Sequence, residues 1–150
     1  MQRTGWKRAK SLSDDGTYIL DEQVGYLLRK ANQRHLGIFA SGIAHLTPTQ
    51  FAALAKLNQM GALSQNELGR QTAMDGATIK GVIDRLRDRD LVRSKADPND
   101  RRRMLIELSE EGSAVVTDCL DAARRITRQT LAPLAPAERE RLVELLQKIT

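Results

Sequence analysis

Between Ser64 and Leu108 the chain signals two helix starts in quick succession and then two short strands, an order that few folds accommodate. Ser64-Gln65-Asn66-Glu67 has the form of a capping box, an N-cap hydroxyl with a carboxylate three positions later. It predicts a short helix to about Gln71. Thr72-Ala73-Met74 reads as a turn, and Asp75 caps a second helix over residues 76–90. On that helix Ile79, Val82, Ile83 and Leu86 fall at helical spacing and form one apolar stripe. Residues 91–95 and 104–108 are strand-like, and between them stands the polar run DPNDRRR. Asp97-Pro98-Asn99-Asp100 suits a tight turn, because proline presets φ and Asn or Asp tolerates the left-handed region. A helix–turn–helix followed by a hairpin is the winged-helix arrangement.

The flanks are helical. Val24, Leu27, Leu28, Ala31, Ile38 and Phe39 make a helical stripe that starts near Leu20 and ends near Ser41-Gly42. Thr47-Pro48-Thr49-Gln50 is another capping box, with proline at the first helical position, and Gly61 stops that helix after Met60. Ser109 caps a long helix whose stripe is Val115, Cys119, Ala122 and Ile126. Pro133 and Pro136 break it, and a last helix carries Leu142, Leu145, Leu146 and Ile149. The expected fold is mostly α with a small β-hairpin wing (α+β). It is one domain over residues 20–150, with a lobe over 47–108 and flanking helices over 20–42 and 110–150. Residues 1–19 are polar and aperiodic, a flexible arm or a short extra helix.

Charge distribution says what such a lobe can meet. The net charge is +5; residues 64–103 carry +3, whereas residues 104–150 carry −2. A basic block on a helix–turn–helix suits a polyanion. No apolar run approaches the ~18 residues of a membrane span, and a single cysteine excludes an intrachain disulfide, so a cytoplasmic protein is expected. No GxGxxG, GxSxG, P-loop or HExxH occurs. With two histidines and one cysteine, a four-ligand His/Cys zinc site cannot be built within one chain. Neither an enzyme nor a bound cofactor or metal is expected.

A helix–turn–helix lays its second helix in the major groove of double-stranded DNA. Ala77, Thr78, Lys80 and Gly81 lie off the buried stripe near the start of that helix. Thr78 and Lys80 carry donors for phosphates or base edges, and Ala77 and Gly81 permit close approach. Ser64, Gln65 and Asn66 open the preceding helix, where free N–H groups suit a phosphate or simply cap the helix. Strand alternation would put Arg101 and Arg103 on one side and Arg102 on the other. A solvated, aggregation-blunting wing tip is the alternative for these arginines.

Four segments, in this order, resemble the MarR family of bacterial transcriptional regulators: LTPTQFAAL (46–54), LSQNELG (63–69), VIDRLRDRDLV (82–92) and DPNDRRRMLIELSEEG (97–112). The resemblance covers residues 20–150. It implies a homodimer built from the first and last helices, two winged lobes on pseudo-palindromic DNA, and a repressor released by a small anionic aromatic ligand. Asp100-x-Arg102 matches a family motif in which the arginine enters the minor groove and the aspartate orients it. Arg101 and Arg103 would then meet phosphates or acidic neighbours. Arg85 also matches, shared between phosphate contact and local ion pairing. Many relatives carry Ser or Thr followed by Arg where this chain has Lys80-Gly81.

His35 lies eleven residues after Val24 and so on the apolar stripe of the first helix, where its ring needs a partner. That partner is either a protein group or, together with Arg29, an aromatic carboxylate or phenol. The segment GYLLRKANQRH (25–35) resembles family members that control degradation of hydroxylated aromatic acids. Arg29 lies off the His35 face and could instead serve the partner subunit's pocket. Phe39 and Phe51, with Arg34 and His45, would complete the lining. Cys119 sits on an apolar stripe, suited to packing; a redox-responsive regulator using Cys119 is an alternative, as is a winged protein-interaction adaptor.

Overall fold

The computed structural model describes residues 16–150, so the expected arm lies outside the described residues except for Gly16–Ile19, which carry no helix. A 3-10 turn over Leu20–Glu22 precedes α1 (Val24–Gly42), followed by α2 (Pro48–Met60), α3 (Gln65–Gln71) and α4 (Gly76–Asp88). The wing is β1 (Val92–Asp97) and β2 (Asp100–Leu108), and α5 (Glu110–Thr130) and α6 (Pro136–Ile149) complete the chain. The expected helix start at Leu20 is corrected. Gln23 is extended (φ −83°, ψ 132°), and its side-chain amide donates to the Ile19 carbonyl at 2.8 Å, a local turn that periodicity does not register.

Most helix starts form as their caps dictate. Thr47 and Gln50 exchange both capping-box hydrogen bonds, at 3.2 and 3.1 Å. Asp75 accepts from the Thr78 N–H at 2.7 Å and Ser109 from the Gly112 N–H at 2.9 Å. The Ser64 box is only half made: Ser64 accepts from the Glu67 N–H at 3.2 Å, but the Glu67 carboxylate turns to Arg70 and Gln71. Gly61 ends α2 at φ 79°, which glycine adopts without a Cβ clash. The end of α4 uses a residue less suited to this conformation. Asp90 takes φ 56°, while its N–H bonds the Arg87 carbonyl and the Leu91 N–H bonds the Leu86 carbonyl, both at 2.9 Å. That is a Schellman closure with aspartate in the glycine position.

The core lies in the lobe. Ala53, Leu54 and Leu57 of α2 and Leu68 of α3 pack with the expected α4 stripe, Ile79, Val82, Ile83 and Leu86. Val116, Cys119 and Ile126 of α5 close it from the other side. Cys119 and Ile126 are buried as expected and Ala122 packs against the core, but Val116 is fully buried where Val115 was expected, and Val115 is only partly so. In the first turn of α5, Gly112 lets the helix backbone rest close against that of Leu91.

The α1 stripe behaves differently. Phe39 is buried, but Val24, Leu27 and Leu28 are exposed at 68%, 49% and 44%, and α6 buries no residue. Both terminal helices therefore present apolar surface that the described residues do not cover.

Candidate nucleic-acid interface

The hairpin is longer and less regular than composition predicts. Its loop is only Pro98-Asn99, and the strands pair antiparallel from Val92↔Leu108 to Ala96↔Met104. The next pair is Asp97↔Asp100, so Arg101, Arg102 and Arg103 are all inserted at one step of the ladder. A bulge of this kind re-aims side chains and suspends simple alternation. The expectation that Arg101 and Arg103 share one side rested on an uninterrupted ladder and does not apply.

The three arginines have different surroundings. Arg103 donates to Ser64 Oγ at 3.1 Å and lies 3.9 Å from the Asp97 carboxylate, bracing the wing against the N-cap of α3. Among the described residues, Arg101 and Arg102 have no side-chain hydrogen bond or ion pair, and both are exposed. Asp100 accepts from the backbone N–H of Arg102 at 3.0 Å, and Asp97 from that of Asn99 at 2.9 Å. The two aspartates thus shape the backbone of the tip and leave the Arg101 and Arg102 guanidinium groups to solvent. A further anchor was not anticipated: Leu63 and Ile106 exchange backbone hydrogen bonds of 3.0 and 2.7 Å, fastening β2 to the connection before α3.

Beside the wing, α4 turns Ala77, Thr78, Lys80 and Arg85 outward, with Gly81 half-buried. Lys80 is paired with Asp84 at 2.7 Å, and Asp84 also meets Arg87 at 3.1 Å; Arg87 in turn donates to Ser94 Oγ on β1 at 3.0 Å. The hydrogen bond from Lys80 holds the Asp84 carboxyl below the usual carboxylate range. The Thr78 N–H does the same for Asp75. Arg85 has no such partner among the described residues. Ser64, Gln65 and Asn66 line an open concavity of about 490 Å³ with Arg70, Arg103 and Met104. On the hairpin, Arg93 and Lys95 grip Glu107 at 2.8 and 2.6 Å, with Lys95 the larger cause of its lowered pKa. Sequence reasoning missed that clamp and the Arg103 contact with Ser64, whereas the acidic neighbour expected for Arg103 is Asp97. The clamp needs the strand register, which places Arg93 opposite Glu107, and the Ser64 contact needs the wing to lie against the start of α3.

A second cavity, of about 190 Å³, lies between α1, α2 and α5. His35, Phe39, Pro48, Phe51, Ala123, Ile126 and Thr127 line it. The Phe39 and Phe51 rings tilt together with centroids 6.1 Å apart, and His35 Nδ1 is 2.9 Å from Thr130 Oγ1. The chain thus brings His35, Phe39 and Phe51 together and leaves Arg29 outside, 5.7 Å from the Tyr26 ring. Six residues along a helix leave Arg29 about 120° around the axis from His35. Arg34 instead donates to the Gln129 and Thr130 carbonyls at the end of α5. His45 is also outside this lining.

Residues 46–104, which span α2 to the wing, match the model of the MarR family. Over 138 residues the chain is 42% identical to the HTH-type transcriptional repressor NicR of Pseudomonas putida, covering 91% of this chain and 87% of that protein. The chain belongs to the MarR family. Solved structures agree in fold: a probable transcriptional regulator from Pseudomonas aeruginosa is 53% identical with a TM-score of 0.83, covering 88% of this chain and 100% of that one. BpsR of Bordetella bronchiseptica, whose DNA binding is regulated by 6-hydroxynicotinic acid, is 44% identical with a TM-score of 0.86, covering 89% and 97%.

Within this MarR-family fold Cys119 is 3% exposed, and its thiol lies 3.6 Å from His45 Nε2. Burial, and then the Asp118 charge, push its pKa up, which disfavours the nucleophilic thiolate. Among the described residues of this MarR-family chain there is no cluster of metal-ligating side chains, and no helix is long and apolar enough to cross a membrane.

Proposed function

We propose that this chain is a homodimeric transcriptional repressor that binds a pseudo-palindromic operator and leaves it when a small anionic aromatic ligand enters the α1–α2–α5 cavity. The observation that carries the DNA half is the set of cations without a partner among the described residues, Arg85 on α4 and Arg101 and Arg102 on the wing. Cations free of protein partners can replace counterions on phosphate without first breaking an ion pair. The dimer explains why Val24, Leu27 and Leu28, neighbours on one face of α1, stand exposed, as does Ile149 on α6, since exposed apolar patches mark interfaces. NicR is named as a repressor, which favours repression over activation.

Operator affinity is expected to fall by roughly 10³-fold or more between 50 and 200 mM salt, as for proteins making six or more phosphate contacts. Fluorescence anisotropy across a salt series checks this; a flat log–log plot would favour the interaction adaptor.

The ligand half rests on the cavity. Apolar cavities near ~150 Å³ accept a benzene ring, and this one adds the His35 imidazole to two phenyl rings. That combination suits a single aromatic ring bearing a carboxylate or hydroxyl. The ligand known for BpsR, 6-hydroxynicotinate, is the natural probe. It is expected to release wild-type protein from the operator and to lose that effect in His35→Ala. A His35→Ala protein released at wild-type probe concentrations would remove His35 from the site.

A further inference from the structure

The α1–α2 connection, residues 43–47, is held at both ends by walls of the ligand cavity. At one end is Phe39 in the last turn of α1, whose carbonyl accepts from the Ile43 N–H at 2.8 Å. At the other is Pro48, the first residue of α2, directly after its N-cap Thr47. Within the connection Ile43 and Leu46 are buried in the core, so it has little slack. Its midpoint, the His45 carbonyl, accepts a hydrogen bond of 2.9 Å from Arg89 Nη1, 44 residues away. Arg89 is the C-cap of α4, the helix expected in the major groove. The Schellman closure through Asp90 and Leu91 locks that helix end, so a pull on Arg89 acts on the helix and not on a loose loop.

We propose that Arg89 is a positioning residue that couples the cavity to α4, through its hydrogen bond to the His45 carbonyl. This rests on the operator-binding and ligand-release function proposed above. An occupant that shifts Phe39 or Pro48 must carry the 43–47 connection with it. Packing between α2 and α4 also joins the two regions, but apolar contact is non-directional. A hydrogen bond weakens steeply when its angle or distance changes, so this one senses small displacements.

A double-mutant cycle on the full chain tests the coupling. Ala123→Leu puts extra carbons into the cavity and serves as a built-in occupant; Arg89→Met removes the donor. Operator affinity is measured by anisotropy for wild type, each single variant and the double variant. With Arg89 present, Ala123→Leu is expected to weaken operator binding by about 10-fold or more, within the usual range of allosteric coupling. With Met at position 89 the same change is expected to cost less than about 3-fold, and Arg89→Lys, which keeps a donor, should restore most of the response. Should Ala123→Leu fail to fold, saturating 6-hydroxynicotinate replaces it as occupant. Equal factors in the Arg and Met backgrounds overturn the coupling role alone, as does an occupant without effect in either. A wild-type protein that binds no operator overturns the proposed function itself.

Discussion

Arg102→Ala is expected to weaken operator binding by roughly 10- to 100-fold, the scale of about 1–3 kcal/mol assigned to one specific base-level contact. Its side chain is exposed and has no partner among the described residues, while Asp100 fixes its backbone through a 3.0 Å hydrogen bond. An arginine so prepared is drawn into a narrow minor groove by the enhanced negative potential there. Because no hydrogen bond or ion pair among the described residues uses the Arg102 guanidinium, the melting temperature should stay at the wild-type value. The informative contrast is Arg103→Ala. It removes the brace to Ser64 and the contact with Asp97, so it should loosen the wing and lower affinity indirectly. Gel-shift titration with specific and scrambled duplexes separates the cases. Undiminished affinity for the specific duplex in Arg102→Ala would leave the wing tip as a solvated surface.

Gly112→Ala should be the most damaging single change to the fold. A Cβ at Gly112 would stand 1.9 Å from the Leu91 carbonyl oxygen and 2.9 Å from its carbon. Both are backbone atoms, and that carbonyl is also bonded by the Ser109 N–H at 3.1 Å. Ser109 Oγ donates in addition to the Asp90 carbonyl at 2.5 Å. The approach to the wing's first strand, at Asp90 and Leu91, and the first turn of α5 are therefore pinned at the place where the methyl group must fit. Relief requires moving α5 away from Leu91, which is buried. A cost of about 3 kcal/mol, the upper end for overpacking, corresponds to a fall in Tm of roughly 6–12 °C for a chain of this size. Thermal unfolding at matched protein concentration reads it, and a Tm within about 2 °C of wild type would contradict the close approach.

Positions 102 and 112 both lie in the segment 97–112, yet they differ in how far the sequence discloses them. The motif around Arg102 is written in local chemistry, a turn residue, an acid and a base in order. Gly112 stands three residues after an N-cap serine, where many residue types are acceptable. Its need for glycine comes from Leu91, 21 residues away. The α1–α2–α5 cavity divides in the same way: the stripe of α1 puts His35 and Phe39 on one face, but Phe51, Ala123 and Thr127 join them only through packing of α2 and α5.

The sequence by itself determined the order of elements, the caps at Thr47, Ser64, Asp75 and Ser109, and the buried stripe of α4. Those features rest on interactions within about four residues or on a repeat of 3.6, and both are complete in the linear chain. Tertiary structure alone decided which of the three wing arginines is tied down, which partners Glu107 holds, that Val116 and not Val115 is the fully buried valine of α5, and that the described residues leave Val24, Leu27 and Leu28 of the α1 stripe exposed. Each of those depends on a strand register or on a contact between segments far apart in sequence. A one-residue change of register or a small rotation of a helix reverses such contacts without altering any local signal.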